Sequence, residues 1–165
     1  MHLDKGQMWI GTTTDGAYRL QLDKNELTHP ILKGNITSIY QDSEGELWIG
    51  SWEEGLHHVK TDGTIEIFEY DAKNPYSISS NFVRACCEDN LGNIWIGTFN
   101  GLNRYDKSTG LFQNHTASDA QSDGLTHSSI WCIVKDNQGT LWLGTYFGGV
   151  NYFNPEYEIY SRYMY

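Results

Sequence analysis

Cysteine is scarce in this chain, and the little there is cannot staple it. Cys86, Cys87 and Cys132 are the only three in 165 residues, and their spacing fits no zinc-ligand pattern. A bond between the neighbours Cys86 and Cys87 would be a strained vicinal bridge. All three are therefore expected as small buried core residues. Basic side chains are scarce too: 11 Lys and Arg stand against 21 Asp and Glu, a formal net charge of −10. Nucleic acid needs a Lys/Arg surface to neutralise its phosphates, and an anionic membrane face needs the same. Neither partner is expected. No apolar run approaches the ~20 residues that span a bilayer, and the opening MHLDKGQMWIG has no signal-peptide pattern. Helical periodicity is missing throughout, and no linker divides the chain.

What is present is repetition. Met8-Trp9-Ile10-Gly11-Thr12 recurs as Leu47-Trp48-Ile49-Gly50-Ser51, Ile94-Trp95-Ile96-Gly97-Thr98 and Leu141-Trp142-Leu143-Gly144-Thr145. The tryptophans are 39, 47 and 47 residues apart, a period typical of stacked supersecondary units. Ahead of the last three copies lie the turns Asp42-Ser43-Glu44-Gly45, Asp89-Asn90-Leu91-Gly92 and Asp136-Asn137-Gln138-Gly139. Asp first and Gly last suit a tight hairpin, because Gly accepts positive φ. A second glycine follows each copy, at Gly16, Gly55, Gly101 and Gly149, and then another short strand.

Each unit of roughly 45 residues thus holds four short strands. The first, as in Ile36–Gln41, Val83–Glu88 and Ile130–Lys135, is apolar on both faces in its middle, which predicts burial on both sides. The fourth, as in Thr64-Ile65-Glu66-Ile67, alternates with period two and reads as a half-exposed outer strand. This is the pattern of a β-propeller blade, an all-β unit of four antiparallel strands. The blades fall at about residues 1–33, 34–80, 81–127 and 128–165. Too few residues precede Trp9 to supply an inner strand, so the first blade is expected to be incomplete and the chain to be a partial propeller cut from a longer array. One blade cannot cover its own faces. The repeated Trp is expected to pack on the next blade, and the repeated Gly to admit its close approach.

DSEGELWIGSWEEGLHHV, DNLGNIWIGTFNGLNRYD and DNQGTLWLGTYFGGVNYF resemble two-component regulator propeller repeats, and NPYSISSNFVRACCED resembles the way that family's chain leads into a blade. The resemblance covers nearly the whole sequence. It implies a β-propeller in the periplasmic sensor region of a hybrid histidine kinase of Bacteroidetes type, responding to oligosaccharides, with no catalysis and no cofactor in this part.

Two sets of loops share one end of a propeller: those joining strands two and three, and those joining one blade to the next. Trp52, Phe99 and Tyr146 occupy one position of the first set, beside Glu53, Glu54 and Asn100. Aromatic faces stack on pyranose rings, and carboxylates or amides bind hydroxyls. Arg84 and Trp131 stand with Thr37 at the same end of the inner strands, facing the channel mouth; Arg84 has the fork that grips a uronate or sulfate, or it pairs with Glu53, Glu54 or Asp123. His127 and Asn81 lie in the leading loops. The expected ligand-binding residues are Trp52, Glu53, Arg84, Phe99, Asn100, His127, Trp131 and Tyr146, with an oligosaccharide as partner and no metal. The Asp-x-x-Gly turns lack the alternating acids of a calcium loop, and His57 and His58 point to opposite faces of a strand. Two other readings compete. One is an interaction module whose terminal blades, with the tail tyrosines Tyr157, Tyr160, Tyr163 and Tyr165, mediate self-association. The other is a propeller lyase using a metal with His and Glu at the channel mouth, for which only His127 and His29 are near.

Overall fold

The computed structural model describes residues 2–4, 6–28, 30–117, 124–157 and 159–163. Four meandering antiparallel sheets take up the chain in order. The first blade holds β1 (His2–Asp4), β2 (Gln7–Gly11), β3 (Ala17–Gln21) and β4 (Glu26–Leu27). The second holds β5 (Ile36–Gln41), β6 (Leu47–Ser51), β7 (Leu56–Val59) and β8 (Ile65–Phe68). The third holds β9 (Val83–Glu88), β10 (Ile94–Thr98), β11 (Gly101–Asp106) and β12 (Leu111–His115). The fourth holds β13 (Ile130–Lys135), β14 (Leu141–Thr145), β15 (Val150–Asn154) and β16 (Ile159–Tyr163). The inner strands β1, β5, β9 and β13 pack in succession against one another. This is a partial β-propeller. Among the described residues there is no helix.

The first blade is not short of a strand. Three residues suffice to pair β1 with β2, His2 opposite Trp9 and Asp4 opposite Gln7, so four strands are present in all four sheets.

The core is three slabs, one between each pair of blades. Trp9 lies with Ile36, Leu47, Ile49 and Val59 of the second blade. Trp48 lies with Val83, Ile94, Ile96 and Tyr105 of the third. Trp95 lies with Ile130, Leu141, Leu143 and Phe153 of the fourth. The repeated glycine is required by the same packing. A Cβ on Gly50 would stand 2.7 Å from Val83 Cγ1, and one on Gly97 2.7 Å from Ile130 Cγ2. The first residue of each inner strand thus fills the slot left by the preceding blade's Gly.

The fourth blade's outward face is open: Trp142 is 36% exposed where Trp48 and Trp95 are at 0% and 1%, and Trp131, Val134 and Val150 are exposed near it. Two expectations change here. Inner strand β9 is buried from Cys86 to Glu88, but β13 is not buried on both sides. Cys86 and Cys87 are core residues, whereas Cys132 is exposed on the open face. Burial pushes the Cys86 thiol up to about 12. Tyr160 is no free contact residue either, since its ring stacks on Phe153 at 4.3 Å; Tyr157 is exposed, and Tyr165 and the Tyr163 side chain lie outside the described residues.

The turn aspartates do more than turn the chain. Asp42 Oδ1 accepts the N–H groups of Glu44 and Glu46, and Oδ2 accepts the Trp48 indole N–H at 2.9 Å. Asp89 binds Leu91, Asn93 and Trp95 in the same way, and Asp136 binds Gln138, Thr140 and Trp142. One carboxylate therefore closes each hairpin and fixes the ring that carries the blade interface.

Candidate ligand-binding face

The inner strands are irregular at one repeated place. Pairing with the second strand skips from Ile36 to Ser38, from Val83 to Ala85 and from Ile130 to Cys132. The skipped residues are Thr37, Arg84 and Trp131. A β-bulge adds a residue to one strand and re-aims its side chain, so these three leave the regular ladder together at the same end of their blades. Thr37 Oγ1 donates to the Val83 carbonyl at 2.5 Å and ties β5 to β9.

The loops between strands two and three are held beside them. Ser51 Oγ donates to the Gly55 carbonyl and accepts the Glu54 N–H. Thr98 and Thr145 close their own loops likewise. The next residue donates its backbone N–H to the chain just ahead of the inner strand: Trp52 to Asn35, Phe99 to Phe82 and Tyr146 to Ser129. Loop and bulge are thereby locked to each other in three successive blades.

Arg84 is where they converge. Its guanidinium carbon lies 4.2 Å from the Trp52 ring centroid and 4.0 Å from that of Trp131. The second and fourth blades thus hold a cation of the third between two indoles. Burial moves the guanidinium below its ordinary value, and only the Tyr146 phenol opposes that shift, but an Arg remains charged. Arg84 Nε is buried without a hydrogen-bond partner. The arginine lies over rings rather than against Glu53 or Glu54, and Asp123 lies outside the described residues. Tyr146 extends the aromatic wall, 5.4 Å from Trp131.

The remaining expected residues sit around this centre. Phe99 reaches Trp52 only through Phe82, at 5.8 and 5.6 Å. His127 packs on Phe147, which packs on Tyr146; its Nδ1 accepts the Ser129 N–H, leaving Nε2 to carry the proton of the neutral ring. Phe82 and Phe147 were not in the expected set, because neither stands at the repeated aromatic position. Glu53 and Asn100 are exposed on the loops. Asn100 lies over the Ser79 carbonyl at 3.4 Å. Asn81 is structural: its side-chain oxygen accepts the Tyr70 N–H and its carbonyl the Gly55 N–H. His29 lies outside the described residues.

Away from this face, Asp42, Glu44 and Glu46 bring three carboxylates within 4.8 Å of one another. Lys107 reaches across to Asp42 at 3.1 Å and Glu44 at 2.7 Å, and the Asp42 oxygens already serve the turn. His58 is bound to Glu46 at 2.6 Å and stacked on Trp48 at 3.8 Å, which makes it part of the blade interface.

The repeat that places all these groups has relatives. The two component regulator propeller model matches residues 30–53, 77–100 and 124–147, the stretches that lead into the inner strand and run through the Trp strand into its loop. The chain carries three two component regulator propeller repeats. No curated protein matches its sequence. Among solved structures, these propeller repeats are similar to the extracellular domain of the hybrid two component system BT3049 from B. thetaiotaomicron, at 18% identity and a TM-score of 0.79, over 97% of this chain and 23% of that one. The extracellular domain of the BT4673 system from the same organism matches at 21% identity and a TM-score of 0.52, over 98% and 26%. Virginiamycin B lyase from Staphylococcus aureus matches at 17% identity and a TM-score of 0.68, over 93% and 54%. At such identities the likeness is one of fold. The regulator propeller described here spans about a quarter of the two extracellular domains.

Proposed function

We propose that the chain is a non-catalytic, ligand-sensing segment of an extracytoplasmic sensor propeller, and that it recognises oligosaccharides at the loop face around Arg84. The observation that carries this reading is a guanidinium held between Trp52 and Trp131 with its Nε buried and unbonded. Indole edges and the rings of Tyr146 and Phe99 offer stacking surface for pyranoses. The arginine offers N–H groups to a carboxylate or sulfate, and Glu53, Asn100 and His127 stand at the rim for hydroxyls. Bulges and closed loops hold these groups before any ligand arrives, so little ordering cost remains for binding. The extracellular domains that share the fold support an extracytoplasmic setting, and no arrangement of nucleophile and base accompanies the aromatic wall among the described residues.

A thermal-shift screen with acidic and neutral oligosaccharides tests this, repeated on Trp52→Ala and Arg84→Ala. Ligand at 100 times its Kd stabilises by about 2.7 kcal/mol. The expected result is a shift with an acidic oligosaccharide that both substitutions remove. No shift with any oligosaccharide overturns the reading. It would favour a second one, association of copies through terminal blades, which the open face at Trp142, Val134 and Val150 supports and light scattering would register.

A further inference from the structure

The three blade interfaces are not filled alike. In the second, the Tyr105 ring lies 5.1 Å from Trp48. In the third, the Phe153 ring lies 4.9 Å from Trp95. Register shows which residue takes that place in the first: Val59 stands opposite Leu47 as Tyr105 stands opposite Ile94 and Phe153 opposite Leu141. A small aliphatic side chain faces Trp9 where an aromatic faces the other two tryptophans. The space left is a cleft of about 440 Å³ between the first and second blades, within the range of small-molecule sites. It opens by the Gly45 and Gly63 turns, at the end of the blades opposite Arg84.

Its chemistry is specific. Trp9, Leu47 and Val59 make an apolar wall. The Arg19 guanidinium lies 5.8 Å over the Trp9 ring, and its Nε is buried without a partner. Gln41 Nε2 donates to the Gly45 carbonyl, which fixes the amide, and Gln41 Oε1 is buried without a partner. In the next blade the residue at Gln41's position is Glu88, and its carboxylate is satisfied by Ser43 Oγ and N–H, both at 2.8 Å. One unmet donor and one unmet acceptor thus belong to side chains that line a cavity beside an indole, and buried polar groups left so are costly.

We infer that this cleft is a second binding site, for a small hydroxylated ring carboxylate. The ring lies on the Trp9–Val59 wall, the carboxylate accepts from Arg19, and a hydroxyl donates to Gln41 Oε1. A sugar acid and a phenolic acid share this chemistry.

Calorimetric titration with glucuronate and with 4-hydroxybenzoate distinguishes them, using glucose and phenol as neutral controls. With the loop face disabled by Arg84→Ala, at least one carboxylate is expected to bind at a single site and the neutral compounds not to bind. The tighter carboxylate names the source. Arg19→Gln should weaken binding about ten-fold or more, the loss expected for a charge-assisted hydrogen bond. Val59→Tyr, which restores the aromatic filling of the other interfaces, should abolish it. Arg84→Ala should leave it intact, which separates this site from the loop face. Binding of neither carboxylate, persistence in Val59→Tyr, or loss in Arg84→Ala overturns the inference.

Discussion

A single carboxylate closes each of the last three hairpins, and its worth depends on burial. Asp89 and Trp95 are both buried, whereas Asp136 binds a Trp142 that is about a third exposed. Replacing Asp89 leaves a buried indole N–H and two backbone N–H groups unmet; replacing Asp136 leaves groups that water can reach. Asp89→Ala is expected to cost about 2–3 kcal/mol and Asp136→Ala about 1 kcal/mol, measured by urea denaturation. Equal losses would show that the bond to the indole is not the stabilising element. The same carboxylates give a pH dependence. Burial raises the Asp42 pKa, but the Trp48 and Glu46 N–H groups and Lys107 outweigh it and hold the carboxyl below 3.8. A depressed folded-state pKa means that this stabilisation is complete above the unfolded value and is lost as pH falls through the folded one.

At the level of strands and blades, much was written in the sequence. The fourfold Trp-x-Gly and the Asp-x-x-Gly turns follow from local rules and stand where those rules put them; the outer strand Ile65–Phe68 is half-exposed as its alternation predicts, but with the facing reversed, Ile65 and Ile67 toward solvent and Glu66 toward His58 and Lys60. The Asp six residues ahead of Trp was visible too, but turn chemistry alone accounted for it, so its bond to the indole was missed. What local rules could not carry was pairing between strands and blades. The bulges at Thr37, Arg84 and Trp131 exist only as a skipped partner in the ladder. The position of Arg84 in strand one puts it at the loop end of its blade, yet its seat between two indoles depends on how three blades are set together. Cys132 is exposed for a similar reason: its position is a core position only where another blade covers it. The interfaces give their own test. Gly97→Ala drives a Cβ toward Ile130 across a fully buried interface and is expected to cost about 1–3 kcal/mol. Gly144→Ala meets only Cys132 Sγ of its own sheet, so Cys132→Ala in the same chain should restore it to near the parent's stability. Equal, unrescued losses in thermal denaturation would mean that strand geometry, not blade spacing, demands the glycine.

A stack of blades is held by its neighbour contacts, so its stability is close to a sum over interfaces. Here the sum is uneven. The second interface gathers Trp48, His58, Phe68, Tyr105 and Phe112 in one aromatic cluster, with rings 3.8 to 6.5 Å apart. Lys107 and Glu88 add polar ties to the turn of the second blade. The first interface has a cleft beside Trp9. Its outer strand β4 is two exposed residues long. Local opening draws on the least-packed region first. Hydrogen exchange read by mass spectrometry should therefore find β2 and β3 exchanging well before β6, β9 and β10, which lie at the second interface. Filling the cleft with Val59→Tyr should slow exchange in β2 and β3 and leave β10 unchanged. Uniform exchange across all four blades would mean instead that the sheets open together, and that the contrast in packing between the interfaces is offset by contacts along the inner strands.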